Sequence, residues 1–319
     1  MDSKIPGAEP RPPENPQSTL PNPLETGAPA HAATHPLALW PSLPHPIAEI
    51  NKILIAEPLD LRQLTQVTEQ HPEFSGRVVK LSNSSLFSLP SPVSTLAQAA
   101  MVIHSDVLRT LVLTCYLVEY IGKALSPAAG LLFWRHGLLA AVLSQRLSQW
   151  GGFGEPELAF FAGMLHDIGW LPLLVHAATP NASDASLPPT VMAMEERHRE
   201  RGLDHCTLGT AIGGLWNFPS ALVEVFGFHH EPERAPNCPE LVGMVALADA
   251  CARLNPMQIR GGETNSDAEK GNPRYGTLDT LRRLDPHLRL RLAETLTNES
   301  RRVDQWLQQD FMKSSVNSA

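Results

Sequence analysis

The sequence has four cysteines in 319 residues, Cys115, Cys206, Cys238 and Cys251, and none of them forms a CxxC pair. Three sit in apolar helical patterns, so all four read as reduced, packed thiols of a cytosolic protein, in a chain long enough to bury a core without disulfide or metal staples. Charge is scarce: Asp, Glu, Lys and Arg make up 18% of the residues, which is against a solvated coiled coil. Positive charge is scarcer still, with 25 Lys and Arg against 33 Asp and Glu for a net −8. Such a balance disfavours a surface built to neutralise phosphates, and with it a nucleic-acid partner. No apolar run is long enough to cross a bilayer without interruption. The most apolar stretch, 158–175, carries His166 and Asp167 in its middle with Pro172 beyond them, and reads as a buried helix pair rather than a membrane span. The first thirty residues lack the basic start and apolar core of a signal peptide, so the expected compartment is the cytoplasm.

Proline is abundant, 29 residues, and unevenly placed: twelve fall in residues 1–46. No apolar period exists there, and the segment cannot bury enough surface to offset its ordering entropy, which predicts a disordered Pro-rich arm. The stretches 179–190 and 256–276 are polar and rich in Gly, Pro, Ser or Asn, and read as loops. Elsewhere the apolar positions recur at helical spacing, as in Leu108, Leu111, Val112, Cys115, Val118 and Ile121, with Ser105 or Asp106 placed to cap. Sustained period-two alternation is missing. The sequence therefore predicts an all-α protein: the arm 1–46, a multi-helix bundle over 47–255, a loop to 276 and a helical appendix over 277–319. In the appendix, Arg282, Arg283, Arg289, Arg291, Arg301 and Arg302 fit a solvated helix face with internal charge pairs.

Smaller motifs have structural readings. Asn83 among Ser82, Ser84 and Ser85 fits a cap or turn, and Gly151-Gly152-Phe153-Gly154 fits a helix stop, because no strand precedes it and no Lys-Ser/Thr follows. Trp134, Trp150, Trp170 and Trp216 read as core.

Seven of the thirteen histidines lie between residues 136 and 230. Singly each is uninformative, but the ordered set His136, His166-Asp167, His205, His229-His230, Asp249 is not. Imidazole nitrogens and carboxylate oxygens suit iron, manganese, zinc or nickel, and a carboxylate can bridge two ions. Adjacent residues diverge by about 100° around a helix axis, so a His-Asp pair can serve one ion and reach toward a second. The partners lie on separate apolar helices, the way helical bundles build interior metal sites.

This order resembles the HD superfamily of metal-dependent phosphohydrolases. The upstream segment 70–103, with His71-Pro72, Lys80 to Ser84 and Pro92 to Ala99, is similar to the part that precedes the HD-like core in the HDOD family, and 133–141 and 204–232 match the same family. The resemblance covers about 47–255. It implies a bundle in two lobes, 47–125 and 126–255, with His136, His166, Asp167, His205, His229, His230 and Asp249 as the ligand set for one or two divalent ions. It also implies a bacterial signal-transduction or regulatory module working through other signalling proteins, and this is the favoured functional reading. The alternative is a metal-dependent phosphohydrolase acting on a nucleotide or other phosphoester, with Asp167 and His166 as catalytic residues. The cyclic-dinucleotide branch, HD-GYP, is not supported: residues 235–240 read APNCPE where that branch has its GYP loop, and Trp170 stands where it has lysine. A lysine there would stabilise phosphate charge and an indole cannot.

Overall fold

A computed structural model describes residues 37, 40–177, 204–254 and 284–307. Most of the predicted arm, both predicted loops and Arg282 and Arg283 lie outside them. Everything described belongs to one compact unit within residues 35–319.

Among the described residues every regular element is a helix. The span expected to form the first lobe holds α1 (His45–Ile55), α2 (Leu61–Glu69), α3 (Pro72–Ser82), α4 (Leu96–Val102) and α5 (Ser105–Ala124). The second holds α6 (Pro127–Gly151), α7 (Pro156–Leu165), α8 (Trp170–Ala177), α9 (His205–Leu215), α10 (Ser220–Phe228) and α11 (Pro239–Arg253), and α12 (Pro286–Trp306) follows. Their starts obey local chemistry. Prolines stand in the first turns of α1, α3, α7, α11 and α12, where a missing N–H costs nothing. Asp60, Thr95, Asp204 and Asp285 accept backbone N–H groups at the starts of α2, α4, α9 and α12. The expected cap of α5 is corrected: its N-cap is His104, without a side-chain bond, and Ser105 is already helical. Asp106 instead accepts from Arg109 Nη1 at 2.9 Å. Asn83 does turn the chain, exchanging two 2.8 Å bonds with the backbone of Val93. Gly152 and Gly154 hold φ of 67° and 61° after α6, a left-handed stop that suits glycine.

One apolar core runs through both lobes and takes in Leu292, Ala293, Leu296 and Val303 of α12. The described part of the appendix thus packs into the same core: α12 packs on α6, Asp304 accepts from Arg135 Nε at 2.7 Å, and the Arg291 guanidinium lies 3.9 Å from the Trp150 ring centroid. Packing also begins earlier than residue 47. Trp40 is buried, with its ring 5.2 Å from Trp216 and 5.4 Å from Tyr120. An isolated tryptophan in a proline-rich run has no period to betray it, so only the tertiary partner reveals its role.

The lobes are joined by a buried polar knot. Arg109 donates from Nε to Asn51 at 3.1 Å and from Nη2 to the Asn217 carbonyl at 2.7 Å, and Asn51 Nδ2 donates to the Trp216 carbonyl at 3.1 Å. A buried guanidinium is tolerable only with such partners. The most apolar stretch folds as two buried helices, α7 and α8, separated by the turn that carries His166 and Asp167.

Candidate metal centre

Two close helix approaches set the site. Where α6 meets α7, a Cβ on Gly137 would fall 2.5 Å from the Met164 carbonyl oxygen, and one on Gly163 2.6 Å from that of Ala140. Hydrogen atoms at both positions let the backbones touch, and His136 and His166 then face each other with ring centroids 5.2 Å apart. Where the 166–169 turn meets α9, a Cβ on Gly169 would overlap the His205 carbonyl oxygen at 1.8 Å. That contact delivers His205, the first residue of α9, to Asp167. His229 and His230 enter from the end of α10, and Asp249 from one turn before the end of α11.

All seven residues singled out in the sequence converge. One oxygen of Asp167 serves each half: Oδ2 lies 3.6 Å from His136 Nε2 and 3.3 Å from His166 Nε2, while Oδ1 lies 3.5 Å from the Nε2 atoms of both His205 and His229. Asp249 Oδ1 completes the first half at 2.9 Å from His136 and 3.2 Å from His166. In the second half, His205 Nε2 lies 3.3 Å from His229 Nε2 and 3.0 Å from His230 Nε2. The donor atoms of each half fall within 4.8 Å of one another, and Cys206, a packed thiol by its sequence pattern, joins the second. Its only sequence signal was adjacency to His205. Also unforeseen was Arg253, one turn beyond Asp249, which contacts Asp249 Oδ2 at 2.8 Å and orients that carboxylate from outside.

The donor set fits cations. The ring Nδ1 atoms of His166 and His229 lie 2.7 and 3.0 Å from the carbonyls of Gly163 and Val225. A carbonyl only accepts, so each Nδ1 carries the proton and each neutral ring presents a lone pair at Nε2. Those lone pairs face carboxylate oxygens and other imidazoles. His166 Nε2 and Asp167 Oδ1 are buried and make no well-formed hydrogen bond. Converging acceptors of this kind repel unless protons or cations lie between them, and the backbone-anchored imidazole is the usual arrangement of a metal-ligating histidine.

Without a cation, the protein would have to hold protons there. Burial alone would lower the His166 pKa, but the Asp167 and Asp249 carboxylates reverse the effect and carry it up to about 10. Burial would raise Asp167 and Asp249. The neighbouring imidazoles and, for Asp249, Arg253 hold both well below the usual carboxylate range. His229 and His230 go down, through burial and the positive field of the other rings. The first half is thus an anionic trap for positive charge, and in the second half His229 and His230 are held toward the neutral imidazole, the ligand form.

Trp170 covers the second half, stacked on His205 with centroids 4.8 Å apart and planes 14° from parallel. The segment that would hold a GYP loop is a short turn, Pro232–Arg234, leading to Asn237 and Cys238, whose backbone N–H groups donate to Glu224 Oε1 at 2.9 and 2.8 Å.

A family model described as the HDOD domain matches residues 40–232. No curated protein matches the sequence. Among solved structures, the chain is similar to an HDOD domain protein with unknown function from Geobacter sulfurreducens, at 23% identity and a TM-score of 0.54 over 84% of this chain and 92% of that one. A proposed phosphohydrolase from Shewanella amazonensis SB2B aligns at 24% identity and a TM-score of 0.52, over 80% and 94% of the two chains. A proposed metal-dependent phosphohydrolase of the same organism aligns at 18% and 0.52, over 82% and 92%. At such identities the likeness is one of fold.

Proposed function

The chain belongs to the HDOD domain family, and from that premise we propose that its second lobe is a divalent-metal centre of hydrolytic type, acting on a phosphoester in cytoplasmic signalling. The observation that carries the proposal is Asp167, one oxygen toward each of two ligand groups, which is the geometry of a bridge. Divalent ions held by His136, His166, Asp167 and Asp249, and by Asp167, His205, His229 and His230, would supply Lewis-acid polarisation of a phosphoryl oxygen and acidify water. The protein's own part is orientation. Gly163 and Val225 fix two rings, Arg253 fixes Asp249, and the buried setting strengthens every charge interaction. His166, 1% exposed and held at Nδ1, fits a ligand better than a proton carrier. His136 and Asp167 are the less buried members of the first half, and they mark the side from which a substrate reaches it.

Protein loaded with manganese, iron or zinc should hydrolyse a generic phosphodiester or phosphomonoester such as a p-nitrophenyl phosphate, and Asp167→Ala should lose both metal and turnover. A metal-loaded protein inert toward every phosphoester offered would contradict hydrolysis.

The stacked Trp170 favours a second reading, in which the centre is structural and the module signals by binding other signalling proteins. An indole over His205 blocks that face and offers phosphate no charge. Trp170→Lys separates the two: gained turnover supports the hydrolytic centre, and unchanged inertness with intact metal supports the binding module.

A further inference from the structure

We propose that Cys206 is a metal ligand, so that the second half of the centre is a soft nitrogen-and-sulfur site while the first is a harder nitrogen-and-oxygen site. The inference rests on the reading of the seven His and Asp residues as a metal centre, and adds to it a donor that this reading does not use.

Cys206 follows His205 in the first turn of α9. Consecutive side chains on a helix point about 100° apart, so one of the two would ordinarily turn away. Here both turn to the same point: the Cys206 Sγ atom lies 3.6 Å from His205 Nε2, and it lies within 4.8 Å of the donor nitrogens of His229 and His230. The separations match a coordination shell. With metal–nitrogen bonds of about 2.05 Å and a metal–sulfur bond of about 2.3 Å, a tetrahedral zinc site has nitrogen–nitrogen edges of about 3.3 Å and nitrogen–sulfur edges of about 3.6 Å. The observed edges are 3.3 and 3.0 Å between imidazole nitrogens and 3.6 Å to sulfur. The buried Asp167 Oδ1, without a well-formed hydrogen bond, stands 3.5 Å from two of those nitrogens and aims into the same space.

The chemistry follows from the donors. Three imidazoles and a thiolate select zinc, or cobalt in its place, over magnesium or manganese, whereas two carboxylates with two imidazoles admit the harder ions. A half supplied with four protein donors besides the shared carboxylate has no position left for water, so this half anchors Asp167 and the opposite half, with its less buried edge, is where a substrate would enter.

Titration of the full-length, metal-free chain with cobalt(II) tests this by absorption. Wild type should develop a near-ultraviolet sulfur-to-cobalt charge-transfer band together with the weaker visible bands of imidazole-bound cobalt. Cys206→Ser and Cys206→Ala should lose the charge-transfer band and keep visible absorption, and Cys238→Ser, a half-buried thiol elsewhere, should keep both. Visible bands without a charge-transfer band in wild type, or a band that survives in both Cys206 variants, would overturn the thiolate ligand and leave the His and Asp centre standing. Cobalt that fails to bind wild type at all would overturn both. Unchanged helical circular dichroism in each variant shows that a lost band is not lost folding.

Discussion

A buried carboxylate oxygen with no good hydrogen bond is costly inside a protein, and the proposed cation site gives Asp167 Oδ1 a partner. The sequence made the set of clustered histidines and aspartates legible because chemistry of the proposed kind needs its residue types in order. It could not show that the two oxygens of Asp167 divide between two groups, nor that Cys206 turns inward beside His205, since both depend on side-chain direction. Glu224 was missed for the opposite reason: a buried glutamate inside the apolar α10 leaves no pattern of its own. Burial would raise its pKa, but the backbone N–H groups of Cys238 and Asn237 reverse the shift and hold it below the ordinary value. A depressed folded pKa means stabilisation that is complete above the unfolded pKa and lost as pH falls through the folded one. Glu224→Gln should therefore cost about 2 kcal/mol near neutral pH, the range for hydrogen bonds to a charged group. Urea unfolding should show the deficit shrinking below about pH 4.5. A constant offset at all pH values would show that the charge is not the cause.

At the scale of elements, the helical character was readable from apolar spacing, but the extents of the helices were not. Val78 to Leu86 shows the limit. The apolar pattern runs on to Leu86, but α3 stops at Ser82 because Asn83 bonds across to Val93. What spacing cannot convey is how near two helices come. Gly169 controls the approach of α9 to the His-Asp turn, and its role surfaces only when the partner backbone is in place. Gly169→Ala should cost about 3 kcal/mol through overpacking and should strip the second ion before the first, read by denaturation and metal stoichiometry. Gly214→Ala, on α9 with open space around it, should be neutral or stabilising by about 0.5–1 kcal/mol. Equal metal loss in both variants would refute the close-approach account.

For the whole molecule, composition spoke of an ordinary folded chain, and the lobes emerged from the resemblance. The structure adds that one core runs through both expected lobes, that Trp40 and α12 belong to it, and that Arg109 ties α1 and α5 to the end of α9. The far end of α9 is thus fixed by the first lobe while its start carries His205. Arg109→Ala leaves the Asn51 Oδ1 atom without its donor and the Asn217 carbonyl with only the 3.3 Å bond from Asn51 Nδ2, and should cost about 3 kcal/mol while shifting unfolding of both lobes together. Two separate transitions in wild type would contradict a shared core. The net charge of −8, which first argued against nucleic acid, also suits a protein that concentrates cations.

The central claim, that seven histidine and aspartate side chains form a bridged cation site, meets its most direct test in elemental analysis of untagged full-length protein offered zinc, manganese or iron. The account predicts about two divalent ions per chain for wild type, the number a bridging carboxylate serves, and loss of both in Asp167→Ala. Less than about a tenth of an ion per chain under the same conditions, where structural sites bind tightly, would contradict it.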